Sequence, residues 1–419
     1  MGLLTQTTSL FKQKNYRFFF IWQLISYIGG WIQGTALNWL VYRLTHSSLM
    51  LGAVICASLI PALIFSPISG IATDRFNRKN VLITTQILFL VHGTILAVLF
   101  LTNSINEWYI LALSIFFGVI NSFDVPAREA FIPLLVKEED FLRAISTSSI
   151  LGNAANVIGP AIAGVLITKY GEGLCFILNV ALHLPFVIFL FLVQARKQLI
   201  KKFDSPLSHM REGILFSLSN KPIKMLLIFI GIFSFFGLSF IAFLPIVSDK
   251  ILHKGASGLG CLTGASGIGA IIGGFYLATR KIKGVKRLVA ICGIVFSLCL
   301  IFFATSTNFL LSMAILLILG FTFMIVEVGT NTLLQAMSPD YIRGRVIGLF
   351  TTMIMGMFSL GTLAMGALGN IFNVQSVAII GASICLLVGI YFSIKVPALT
   401  KEAMTLINTK ETEERSYKL

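Results

Sequence analysis

The side chain in this sequence best placed to do chemistry is Glu327, a carboxyl set about two-thirds of the way along a long apolar stretch. An ionisable group at such a depth costs several kcal/mol unless it is paired, neutralised or wetted. Desolvation opposes its charged form, which suits a group that picks up and releases a proton. Helical spacing places Gly320, Phe323, Glu327, Asn331 and Leu334 on one face, and a polar stripe of that kind suits a water-filled cavity. The alternative is a structural carboxylate bonded to its neighbours. His92 and His183 also fall inside apolar stretches. Each is a second proton-coupling candidate, because imidazole titrates near neutral pH, or else a hydrogen-bonded packing residue.

Further polar groups cluster by spacing. Gly70-x-x-x-Asp74-Arg75-x-x-Arg78-Lys79 lies between two apolar runs. An Asp just past a helix end can accept from free amides at another helix's N-terminus; the plainer reading is a topology signal of basic residues. Gln23, Ser26, Tyr27, Gly30, Gln33, Gly34 and Asn38 group within roughly 140° of a helical wheel. Ser114, Gly118, Asn121 and Arg128 form a similar face further on. Both faces suit either cavity lining or interhelical hydrogen bonds. Gly159-Pro160 with Gly164 supplies a bend and a close approach.

These groups are carried by twelve apolar stretches, each long enough to cross a bilayer as a helix. The spans are expected at 17–41, 48–72, 80–102, 107–128, 144–168, 172–194, 224–248, 257–279, 286–305, 308–335, 344–369 and 374–394. Of 419 residues, 56% are hydrophobic and only 12% charged, with mean hydropathy +0.91, so little length remains for soluble domains. The net charge of +15 does not point to nucleic acid, because no folded domain displays it. About 28 of the 32 Lys and Arg fall on one side of the spans, which places both termini inside. The segments are a first bundle over 1–194, a cytoplasmic middle loop over 195–223, a second bundle over 224–396 and a cytoplasmic tail over 397–419, polar and disordered after Lys401. Asp140-Phe-Leu-Arg143 matches Asp340-Tyr-Ile-Arg343, and Gly159 and Gly164 match Gly361 and Gly366, which indicates a duplicated six-helix unit.

Several patterns point away from other chemistry. The six cysteines lie in spans, and no Cys/His spacing suits a metal. Thr263-Gly264-Ala-Ser-Gly267-Ile-Gly269 imitates a dinucleotide fingerprint, but no βαβ unit surrounds it. Its glycines read as a packing face. The Phe-rich seventh span, with Phe229, Phe233, Phe235, Phe236, Phe240 and Phe243, suits lipid contact or an aromatic ligand. No P-loop or hydrolytic cluster is present, so neither an enzyme nor a cofactor is expected.

The Asp74 loop, the six-plus-six layout and the basic middle segment resemble the major facilitator superfamily of secondary transporters. Asn38-Trp-Leu-Val-Tyr-Arg-Leu-Thr45, Pro126-Ala-Arg128-Glu-Ala-Phe-Ile-Pro133 and Arg343-Gly-Arg345-Val are similar to the bacterial exporter branch that includes enterobactin exporters and macrolide efflux pumps. Asn77 stands where that loop usually has Gly, and Asn tolerates the left-handed backbone. The first span lacks the acidic residue of many drug antiporters.

The resemblance implies an all-α integral membrane protein, two six-helix bundles in the major facilitator fold, with a substrate site near the midplane. It implies that Asp74 meets the start of the eleventh span near Gly344 to Ile347. Arg78 then pairs with Asp124 to latch the inner side. Gln23, Tyr27, Gln33, Asn38, Asn121, Arg128 and Asn331 would line the cavity, where Arg128 would attract an anionic substrate. Gly159, Pro160 and Gly164 resemble an antiport motif. The function implied is export of a small amphipathic compound by proton antiport, first a siderophore, from a monomer in a bacterial inner membrane. Drug or macrolide efflux, lysophospholipid transport and a transporter-derived sensor are the alternatives.

Overall fold

The structure, a computed structural model, describes residues 10–194, 196, 206–280 and 282–416. Its first six long helices are α1 (Lys14–Thr45), α2 (Ser48–Arg75), α3 (Arg78–Leu101), α4 (Glu107–Phe131), α5 (Phe141–Tyr170) and α6 (Glu172–Leu192). A shorter helix, α7 (Pro206–Ser219), precedes α8 (Lys221–Ile232), which runs on irregularly to Ile251. There follow α9 (Gly255–Ala278), α10 (Ile282–Thr305), α11 (Phe309–Met337), α12 (Asp340–Ile371) and α13 (Val374–Ser416).

Among the described residues ten helices are long and apolar enough to cross a membrane. The two expected spans outside that set are α1 and α5. Each is a full-length helix: the polar face of Gln23, Ser26 and Gln33 dilutes the hydropathy of α1, and in α5 the apolar stretch that is fully described is Ala154–Tyr170.

Local chemistry sets the helix ends. Ser47, Asn106 and Asn308 accept hydrogen bonds from the amides of Met50, Tyr109 and Leu311 at the starts of α2, α4 and α11. Asn77 does the same for α3, accepting from the Lys79 amide at 3.0 Å. Its backbone is extended, with φ −64° and ψ 115°, so the residue serves as a cap rather than as a left-handed turn. Gly171 joins α5 to α6 at φ +79°, a conformation that side chains with a Cβ rarely adopt.

The chain divides into two compact units. One holds Met1–Asp204 with Pro245–Gly264, and the other Ser205–Leu244 with Ala265–Leu419. In the first, α1 packs on α5 and α6, α2 on α4, and α3 on α4 and α6. Buried Phe19 meets Phe131 and Phe186 at ring separations of 5.7 and 5.6 Å. Gly118 lets α4 lie against α2, since a Cβ there would sit 2.6 Å from the Ser58 carbonyl oxygen. Gly159 admits Trp31 of α1 in the same way.

In the second unit α10 packs on α11 and α13. Gly269 and Gly273 meet the backbone of Leu317 and Phe321, and Gly320 meets Ser266. Gly269, the last glycine of the dinucleotide-like motif, therefore belongs to a helix crossing.

Three expectations change. The middle segment is not all loop, because Pro206–Ser219 is helical. The seventh span is not uniformly α-helical: Phe233–Gly237 and Val247–Ile251 are π-helical and Leu238–Phe243 is 3-10. Ser239 Oγ donates to the Phe235 carbonyl at 2.6 Å, a side-chain bond that competes with the regular ladder. Finally, the helix that carries the last span continues to Ser416, where disorder is expected. That stretch contains neither Gly nor Pro after Pro397, and Glu411 precedes Arg415 by one turn, a spacing that favours helix.

Candidate functional site

The first unit holds a buried charge pair on one helix. Asp124 and Arg128 are one turn apart on α4, and their side chains are 4% and 5% exposed. Arg128 donates to Asp124 Oδ2 from Nη2 at 2.7 Å and from Nε at 3.1 Å. Asp124 Oδ1 accepts from Thr85 Oγ1 at 2.7 Å and Gln86 Nε2 at 2.6 Å, both on α3. The guanidinium also lies over the rings of Tyr27 and Phe186, at 4.8 and 5.2 Å. The carboxylate thus accepts four hydrogen bonds, two of them from the guanidinium cation.

Beside this pair is a cavity of about 140 Å³ lined by Tyr27, Val125, Arg128, Glu129, Ile132, Ser148 and Gly152. Gln23 Nε2 donates to both Ser148 Oγ, at 3.1 Å, and Tyr27 Oη, at 3.2 Å. Tyr27 and Arg128, two of the expected lining residues, are thus brought to one cavity. Gln23 stands behind it and is buried. Asn38 and Asn121 are half-buried on α1 and α4.

A second network ties α1, α3 and α6 together. His183 Nδ1 faces the Asn179 carbonyl at 3.2 Å, which requires the proton on Nδ1, so Nε2 accepts from Ser26 Oγ at 3.0 Å. Asn179 Nδ2 donates to Gln33 Oε1 at 2.6 Å, and Gln33 Nε2 reaches His92 Nδ1 at 3.4 Å. Both imidazoles are buried, and His92 packs beside Phe117 at 5.6 Å. Gly29 and Gly93 make room for Asn179.

The basic loop works differently from the expected latch. Asp124 takes Arg128 as its partner in place of Arg78. Arg78 Nη1 instead donates to the Ala130 carbonyl at 3.2 Å, near the end of α4. Lys79 Nζ donates to the carbonyls of Phe191 and Val193 at 3.2 and 2.7 Å, at the end of α6. Two adjacent cations therefore cap two helix C-termini, where carbonyls lack partners and the helix dipole is negative. Gly70 and Asp74 lie in the last turns of α2, and Arg75 is exposed at its end. The Asp74 side chain lies outside the described residues.

At the opposite end of α1, Arg43 Nε meets Glu172 Oε1 at 2.8 Å, and Tyr42 Oη donates to Asp249 Oδ2 at 2.7 Å. Gly164 crosses Gly260 here: a Cβ on Gly260 would sit 2.6 Å from the Pro160 carbonyl oxygen. Gly159, Pro160 and Gly164 thus mark close helix packing along α5.

In the second unit Glu327 is half-buried in α11 and has no hydrogen-bond or ion-pair partner among the described residues. Asn331, one turn on, accepts from Gln335 Nε2 at 2.8 Å. Gly320, assigned to the same stripe, is taken up by the crossing with α9. The sequence reading omits Thr85, Gln86 and Asn179 as site residues. Gln86 and Asn179 carry a signal it could have used, a carboxamide inside an otherwise apolar span.

Long apolar helices around buried polar networks define an integral membrane protein, and likeness to known proteins specifies the kind. The family of transmembrane secretion effectors, MFS_3, matches residues 5–418, and the chain belongs to it. The chain is 26% identical to the staphyloferrin A transporter of Staphylococcus aureus, over 90% of this chain and 95% of that protein. It is 24% identical to the enterobactin exporter of Citrobacter koseri, over 84% and 85%. It is 23% identical to macrolide efflux protein A of Streptococcus pyogenes, over 64% and 67%. The fold matches the nucleoside transporter NupG with a TM-score of 0.73 at 14% identity, over 93% of this chain and 99% of that one. The protein is therefore a multi-pass membrane transporter with the major facilitator fold.

Proposed function

We propose that this transporter exports a small amphipathic compound, first a siderophore, by proton antiport and alternating access. It would act as a monomer in a bacterial cytoplasmic membrane, with both termini in the cytoplasm. The observation that carries the coupling is Glu327, a carboxyl within a span with no partner among the described residues. Such a group suits proton binding, because no bond among the described residues offsets its desolvation. His92 and His183 are weaker candidates, being tied into the network with Gln33, Asn179 and Ser26. The siderophore assignment is supported by the likeness to the staphyloferrin A transporter and the enterobactin exporter. In the cavity, Tyr27 and Arg128 would hold a polar group of the substrate. Macrolide efflux is the second reading, supported by the relative of that name.

Small molecules in spent medium, compared with and without the protein under iron limitation, test the substrate. A chelator that leaves only protein-bearing cells supports siderophore export. An unchanged medium together with altered macrolide susceptibility favours the second reading. With the exported compound in hand, proteoliposomes test the coupling. Glu327→Gln is expected to abolish uptake driven by a pH gradient while leaving exchange of labelled for unlabelled compound. Undiminished gradient-driven uptake by the variant removes Glu327 from the mechanism.

A further inference from the structure

The middle segment contains a helix with no counterpart in the spans. α7 is 14 residues long, too short to cross a bilayer. One side is already occupied: Gly213 and Ser217 are buried, a Cβ on Gly213 would sit 2.8 Å from Arg345 Cβ of α12, and Glu212 forms an ion pair with Arg345. The other side carries Ile214, Leu215 and Leu218, which are 36%, 57% and 56% exposed. Their spacing puts all three within roughly 100° of one another on a helical wheel. An apolar stripe left open in this way is unfavourable in water.

We propose that α7 lies in the plane of the membrane surface, with Ile214, Leu215 and Leu218 entering the boundary between headgroups and acyl chains of an anionic leaflet. Two observations identify lipid as the occupant. First, α7 leads through Asn220 directly into the membrane-spanning stretch Lys221–Ile251, so it ends where the span begins. Second, residues 195–224 carry Arg196, Lys197, Lys201, Lys202, Arg211, Lys221 and Lys224 against only Asp204 and Glu212. Lys221 and Lys224 are exposed just beyond the stripe. Apolar residues bordered by cations are the pattern of an interfacial helix drawn to acidic lipid. Because Arg345 clamps α7 to the start of α12, the lipid would grip α12 through this helix.

The test uses the full chain in nanodiscs of phosphatidylcholine with and without phosphatidylglycerol. Ile214→Cys, Leu215→Cys, Leu218→Cys and the control Ser219→Cys are made after replacing the six native cysteines, then spin-labelled. Collision with oxygen and with a nickel chelate reports depth. The labels at 214, 215 and 218 are expected roughly 5–10 Å below the headgroup surface in anionic discs, with 219 open to nickel. Lys221→Gln with Lys224→Gln is expected to make that depth less dependent on phosphatidylglycerol. Labels at 214, 215 and 218 as open to nickel as 219 in both lipids would overturn the proposal, as would labels shielded from both reagents, which mark a protein partner. The proposal rests on a cytoplasmic middle segment only for its choice of leaflet. Nanodiscs expose both faces, so a wrong orientation cannot mimic failure, and an impermeant maleimide on sealed vesicles reports orientation separately.

Discussion

Removing the carboxylate of the buried pair, as in Asp124→Leu, strands the Arg128 guanidinium at 5% exposure. Breaking a buried pair from one side typically costs about 3–5 kcal/mol, because an uncompensated charge remains. Arg128→Met strands the carboxylate instead and is expected to cost a similar amount. Asp124→Leu combined with Arg128→Met removes both charges. What remains exposed to loss is then Gln86 Nε2, which donates to Asp124; a buried orphan donor costs about 1–3 kcal/mol. Thr85 Oγ1 keeps its bond to the Leu82 carbonyl at 2.9 Å. The double variant should therefore be more stable than either single one, with a coupling energy of at least about 3 kcal/mol. At about 2–4 °C per kcal/mol for a unit of this size, each single change lowers Tm by roughly 6–20 °C in nanodiscs, and the double change by much less. Additive effects, or single variants within about 2 °C of the parent, would refute the inference that this pair is desolvated and mutually dependent.

Lys79→Gln should destabilise the first unit by about 0.5–2 kcal/mol, because it removes the charge at the end of α6; thermal unfolding of the variant, with Lys79→Arg as partial rescue, checks this. Gly118→Ala should cost about 1–3 kcal/mol, since the added Cβ meets the Ser58 carbonyl at 2.6 Å, where only backbone can yield. A variant of unchanged Tm would show that α2 and α4 are not in that contact. Tyr42→Phe leaves Asp249 without its hydroxyl donor and should cost about 1.5–3 kcal/mol, the range for bonds to charged groups, read as lowered Tm.

Hydropathy makes most of the fold legible because each span must satisfy its own backbone in lipid, so composition alone declares it. It fails where polar side chains have tertiary partners. Helix α1 carries Gln23, Ser26 and Gln33, whose partners Ser148, His183 and Asn179 lie more than a hundred residues away, so its hydropathy understates how well it is accommodated. The π and 3-10 turns after Phe233 are invisible to periodicity because they follow from packing: Gly361 of α12 meets the Phe235 carbonyl and Ser239. The Arg78 and Lys79 contacts were hidden for a related reason. A cation can serve a carboxylate or a row of carbonyls, and only the position of a helix end decides between them.

That distinction also bears on how carboxylates divide their labour. Asp124 is surrounded by donors, two from Arg128 and one each from Thr85 and Gln86. Removing it would discard charge-assisted bonds and leave the guanidinium unpaired, so its place is in the fold. Glu327 has no such bonds to lose among the described residues. An ionisable group in a span costs several kcal/mol unless it is paired, neutralised or wetted. A carboxyl that is stable only when protonated or wetted is suited to change state as access to each side changes; one locked by four donors is suited to hold helices in place. The proposed coupling thus rests on Glu327 being a carboxyl in a span without a partner among the described residues. The discriminating comparison is between Asp124→Asn, expected to lower Tm, and Glu327→Gln, expected to keep Tm and lose the response to a pH gradient. If Glu327→Gln lowers Tm as far as Asp124→Asn does, Glu327 has partners in the folded protein and its role is structural.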